Sequence, residues 1–136
     1  MRRFALVLLM SILPALPAGA QDWALGGFDP VGYVSAGRPV PGRSDIATMW
    51  RGMIWHFASE ENRARFEADP RAYAPRLGGM CPLSIIDGNP EPGDPNHFLV
   101  RQDGLYLFRS AEAGRKVQSN ADEVLAQARA VWAQMQ

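Results

Sequence analysis

In Asp45-Ile46-Ala47-Thr48-Met49-Trp50-Arg51-Gly52-Met53-Ile54-Trp55-His56-Phe57-Ala58-Ser59-Glu60-Glu61 the apolar period passes from two to about 3.6, so the predicted structure passes from strand to helix. Ile46, Thr48 and Trp50 alternate before Arg51-Gly52, and Met53, Trp55 and Phe57 alternate after it, which predicts a hairpin over Asp45 to Ala58. Ser59 stands where a helix N-cap belongs, Glu60 and Glu61 load the first turn with negative charge, and Asp69-Pro70 ends the short helix.

Downstream, Arg71 to Ala74 reads as one more turn, and Leu77-Gly78-Gly79-Met80-Cys81-Pro82 as a tight bend freed by glycine. Ser84 to Asn96 reads as loop, with turn signals at Asp87-Gly88-Asn89-Pro90 and Pro92-Gly93-Asp94-Pro95. A second hairpin follows, Phe98 and Val100 answering Leu105 and Leu107 across Gln102-Asp103-Gly104, with Tyr106 and Phe108 offering apolar surface on the other parity. After Ser110 a helix runs to about Gln118, Ser119 or Asn120 caps a new start, and Val117, Ala121, Val124, Leu125, Ala128, Val131, Trp132 and Met135 form one apolar helical stripe. Upstream, Gln21 to Gly42 is dense in Gly and Pro and predicts turns and irregular backbone, held on the domain by Trp23, Phe28, Val31 and Tyr33. The expected fold is α+β: a small single domain with two β-hairpins, a short helix after the first hairpin and a C-terminal amphipathic helix. No internal repeat or interdomain linker is read.

Residues 1–20 read as a cleavable signal peptide: Met1-Arg2-Arg3 is a positive head, Phe4 to Leu13 is apolar apart from Ser11, and Ala18-Gly19-Ala20 offers a cleavage site before Gln21. Pro14 and Pro17 stop the apolar run short of the roughly 20 residues a bilayer span needs, so no permanent membrane span is expected in the mature chain. The mature domain, residues 21–136, is expected in the periplasm. The full chain of 136 residues balances 14 Lys and Arg against 14 Asp and Glu, which supplies no basic footprint for nucleic acid. Its single cysteine permits neither an internal disulfide nor a four-thiolate zinc site.

The succession Phe28-Asp29-Pro30-Val31-Gly32-Tyr33, then Trp50 to Asn62, then Phe66-Glu67-Ala68-Asp69-Pro70-Arg71-Ala72-Tyr73-Ala74-Pro75, with Gly78-Gly79-Met80-Cys81 beyond it, resembles the YHS domain in its exported branch. Residues 28 to 81 carry most of the likeness, and the second hairpin and last helix are similar to the extension of exported members. The resemblance implies a small α+β domain associated with metal-handling proteins, whose metal-binding relatives use cysteines. At three positions that correspond to those cysteines this chain has Gly32, Ala58 and Asn62. Gly and Ala offer no side-chain ligand, so the family's metal chemistry does not carry over residue by residue.

The remaining soft donors define a candidate metal site of Cys81, Met80 and His56, with copper as the cofactor that thiolate, thioether and imidazole suit. Against it, a free Cys usually packs as a small hydrophobe, Met fills core gaps, and His56 has the parity of Ile54, away from Met53, Trp55 and Phe57. Thiol catalysis lacks a local signature, and neither a phosphate-cradling loop nor a catalytic triad stands out, so no catalytic residues are assigned. The functional expectation is a non-enzymatic exported binding or accessory module of the cell envelope that handles a soft metal ion. Its alternative is an interaction domain for an envelope protein or small ligand that has lost metal binding, suggested by Trp23, Trp50, Trp55 and Trp132.

Overall fold

The computed structural model describes residues 22–136; residues 1–20, expected to be a signal peptide, and the cleavage expected before Gln21 lie outside the described residues. The architecture is α+β with two antiparallel two-stranded sheets and a C-terminal helix. A 3₁₀ turn, Ala24–Gly27, leads into helix α1, Pro30–Ala36. The expectation of irregular backbone over residues 21–42 is thus corrected: Asp29 caps α1 by accepting from the Val31 amide at 2.8 Å, and Pro30 occupies N1, where a missing N–H costs nothing. Strands β1, Arg43–Trp50, and β2, Met53–Phe57, form the first hairpin. Arg51 and Gly52 both take positive φ, 51° and 76°, as a two-residue type I′ turn requires. Helix α2, Glu60–Ala68, starts at Ser59, whose hydroxyl accepts from the Asn62 amide, and α3, Pro70–Tyr73, adds the further turn.

A second 3₁₀ turn, Arg76–Gly79, precedes α4, Pro82–Ile86, which replaces the first part of the expected loop from Ser84; the last part, from Asp94, belongs to strand β3, Asp94–Arg101. Strand β4, Gly104–Phe108, completes the second hairpin, and α5, Ala111–Ser119, and α6, Ala121–Met135, follow. Asn120, at φ −150°, breaks the apolar stripe in two: Val117 belongs to α5 and the rest to α6.

These elements make an internal repeat, contrary to the sequence reading. Leu25, Gly26 and Gly27 have φ of 54°, 59° and 90°, and Leu77, Gly78 and Gly79 have 60°, 60° and 78°. The Asp29 amide donates to Val40 O and the Cys81 amide to Glu91 O, both at 2.8 Å. Gly42 N donates to Gly27 O at 2.9 Å, as Gly93 N does to Gly79 O at 2.8 Å. Both hairpins carry a register shift early in their first strand, between Arg43 and Ala47 and between Asp94 and Phe98. Ser59 and Ser110 cap the helices that follow, each accepting from an amide three residues on at 3.1 Å. The repeat escapes the sequence because it is preserved where backbone geometry demands it, at Leu-Gly-Gly, Pro at N1, the close-approach glycines and the capping serines, while the intervening side chains differ.

The hairpins sit differently in the core. Trp55 and Phe57 face Phe66 of α2 in a first cluster that also holds Tyr33, Leu105 and Leu107. Tyr106 and Phe108 face a second cluster with Ile85, Val117, Leu125 and Ala128. The second hairpin is therefore covered on both faces, as its two apolar parities predict. The first hairpin is packed in full on one face: on the other His56 is buried, but Met49, which pairs with Ile54, is 71% exposed.

Candidate functional site

Gly32, Ala58 and Asn62 lie around one carboxylate. Asp29 is fully buried; one oxygen accepts from the Val31 amide, the other from the Ala58 amide at 2.8 Å and from Asn62 Nδ2 at 2.7 Å. Gly32 donates its amide to Asp29 O. A Cβ at Gly32 would stand 2.8 Å from Val40 Cβ, so a larger side chain has no room there. This carboxylate ties α1, the end of β2 and the first turn of α2 together. The donor set is one carboxylate and one amide already bonded to each other, which does not fit a soft-metal centre.

Cys81 occupies the place in the second half that Asp29 holds in the first. It is fully buried in the second cluster, and no thiol bond caps α4. Ser84 does the polar work there, donating its hydroxyl to Cys81 O at 2.6 Å and accepting from the Glu91 amide at 2.9 Å. Ala113 stands where the first half has Asn62, so the polar pair Asp29–Asn62 becomes the apolar pair Cys81–Ala113. Met80 packs, partly buried, against the same second cluster. His56 lies in the first half, beside Trp23. The structure thus keeps Met80 and Cys81 in one cluster and places His56 in a different setting. Among the described residues no group of three or more His, Cys, Asp or Glu side chains is arranged to hold a metal ion.

His56 is 4% exposed, and its ring finds no hydrogen-bond partner among the described residues. No side-chain nitrogen or oxygen sealed from solvent lacks a partner, so the imidazole nitrogens open outward. They open to a pocket of about 360 Å³ lined by Trp23, the backbone of Gly26, Gly27 and Gly42, and by Phe28, Pro41 and Ser44. Trp23, 52% exposed, forms one wall, its ring centroid 4.7 Å from that of His56. Its backbone is fixed by pairing with Ile54 of β2, whose amide donates to Asp22 O at 3.1 Å. Gly42 lets the chain pass beneath His56: a Cβ there would lie 2.6 Å from His56 Cβ and carbonyl carbon. Sequence reasoning named Trp23 and His56 separately; what joins them is the approach of residues 22–23 to β2, which no local pattern signals.

A second hollow of about 450 Å³, bounded by Arg101, Gln102, Asp103, Asp122, Leu125 and Arg129, is more polar, but its charges are spent on one another. Arg101 pairs with Asp122, and Asp103 accepts from Tyr106 Oη at 2.6 Å and from Arg129 Nη1 at 2.9 Å. Burial pushes the Asp103 carboxyl up, but the Tyr106 hydroxyl, its own backbone amide, Arg129 and Arg101 together hold it below the ordinary carboxylate value. This network fastens α6 to the second hairpin's turn. Comparison with protein-family models, with curated proteins and with solved structures finds no match.

Proposed function

We infer that the protein is an exported, non-enzymatic binding module of YHS type in the cell envelope, and that it holds a small molecule in the pocket between Trp23 and His56. The observation that carries the reading is the imidazole of His56, nine-tenths buried, unpartnered among the described residues and open to an aromatic-walled pocket. Concave sites lined by apolar groups with one or two placed polar atoms are the usual form of small-ligand sites. Export rests on the sequence of residues 1–20, and the YHS relationship on the residues quoted for it. Among the described residues no helix is long and apolar enough to cross a membrane.

Native mass spectrometry of the protein recovered from periplasm tests the reading. The expected spectrum contains the chain from Gln21 with an organic adduct that His56→Leu loses. A copper adduct abolished by Cys81→Ser would replace the pocket with the soft-metal site, and a chain retaining Met1 in the membrane fraction would replace export with anchoring.

A further inference from the structure

The pocket's lining restricts what it can take, and the inference rests on the pocket reading above. None of the residues that line it carries a formal charge at neutral pH with histidine neutral. The nearest cation in sequence, Arg43, is engaged by Asp45 through two bonds of 3.1 and 2.7 Å. An ionised ligand group would give up its hydration here without a counter-charge, a large cost in a half-enclosed apolar site. The indole of Trp23 offers a half-exposed aromatic wall, with Phe28 and Pro41 adding apolar surface. Gly27 holds a gap open: a Cβ there would lie 3.4 Å from both His56 Nδ1 and the Trp23 ring. At the inner end, a neutral imidazole presents one N–H donor and one lone pair.

The second half of the molecule supplies the contrast. At the position of His56 it has Leu107, 3% exposed and packed in the first cluster, and at the position of Trp23 it has Pro75. The polar, aromatic pair occurs in the half whose hairpin leaves part of one face open, at Met49.

We propose that the ligand is a small, neutral, planar aromatic molecule bearing one N–H or O–H group, its ring against Trp23 and its donor bonded to the free nitrogen of His56. Three probes separate the elements of this assignment: indole, 1-methylindole, which lacks the donor, and indole-3-carboxylate, which adds a charge. Each is titrated into the isotope-labelled mature protein while the Trp23 Nε1 and His56 ring resonances are followed. Indole is expected to move both signals, and 1-methylindole and indole-3-carboxylate to bind at least about tenfold more weakly, because a site built around a hydrogen bond rejects the analogue that leaves it unmade. His56→Leu, the residue the second half tolerates at this place, should bring indole and 1-methylindole within about twofold of each other by removing the bond that tells them apart.

Equal affinity of the wild type for indole and 1-methylindole, or tighter binding of the carboxylate, with the same two signals moving, would overturn the ligand class and leave the pocket standing. Movement of neither signal with any probe would overturn the class as well. The pocket itself would then fall only if the periplasmic protein also carried no organic adduct sensitive to His56→Leu. If His56→Leu failed to fold, the ratio between indole and 1-methylindole in the wild type would still decide the assignment.

Discussion

Asp29 and Cys81 stand at equivalent places and show how one backbone position can be satisfied by opposite chemistry. Asp29 takes three donors, two of them main-chain amides. Asp29→Ala would leave the Ala58 amide and the Asn62 side chain without their acceptor, and the expected cost is about 2–4 kcal/mol, read from the denaturant midpoint. Cys81 is fully buried in the second cluster, so its thiol should react slowly with a thiol reagent in the native protein and fast after denaturation. Cys81→Ser places a hydroxyl in that cluster and should cost about 1–3 kcal/mol. Rapid native labelling would mean that the thiol reaches solvent and that the packed arrangement is wrong.

At the scale of elements, each hairpin is held against the bend that precedes it by a glycine under its second strand. A Cβ at Gly42 would lie 2.6 Å from the backbone of His56, and one at Gly93 would lie 2.3 Å from Leu107 Cβ. Neither neighbour is a flexible chain end, so Gly42→Ala must move the strand, at an expected cost of about 1–3 kcal/mol. Gly37→Ala is the comparison: its φ of 65° is strained for alanine but nothing lies within 4 Å, and a penalty of about 1–2 kcal/mol is expected from conformation alone. Thermal unfolding of the two variants, with the His56 ring resonance as reporter, distinguishes them, since only Gly42→Ala should disturb the pocket. An unshifted His56 signal in Gly42→Ala would show that the close approach is not what shapes the site.

Across the whole molecule, the two halves are joined through Tyr33, whose ring packs edge-on against Phe98 at 5.0 Å and whose hydroxyl donates to Pro95 O at 2.7 Å. Burial, and secondarily the charge of Asp94, pushes the Tyr33 hydroxyl well above its ordinary value. A group whose folded pKa lies above its unfolded one contributes stability that is complete below the unfolded value and is lost as pH rises past it. Stability should therefore decline above about pH 10, the unfolded tyrosine value. Tyr106, also raised by burial and by its bond to Asp103, adds a loss of the same sign. Tyr33→Phe should lose about 1 kcal/mol at neutral pH by breaking the bond to Pro95, and should flatten part of the alkaline decline. Denaturant midpoints from pH 7 to 11 measure both effects; an unchanged alkaline slope would remove Tyr33 from the account.

Both hairpins, the Ser59 and Ser110 helix starts and the glycine bend before Cys81 were legible in the chain because each is written in residues close in sequence: alternation, a capping hydroxyl, a residue free to take positive φ. The short helices at Pro30 and Pro82 were not, since a Pro- and Gly-rich composition reads as turn whether or not a capped helical turn is hidden within it. Neither was the repeat, whose halves share backbone-determining residues but little between them. Burial of Cys81 and the opening beside His56 belong to the tertiary structure alone. Both hairpins alternate apolar residues along their strands, yet only the second lies between two packed clusters, while the first leaves Met49 exposed on the face that His56 shares. Sequence period determines which side chains share a face; which face meets a neighbour depends on how distant elements stack, and that stacking is what left His56 at the edge of a pocket and Leu107 in the core.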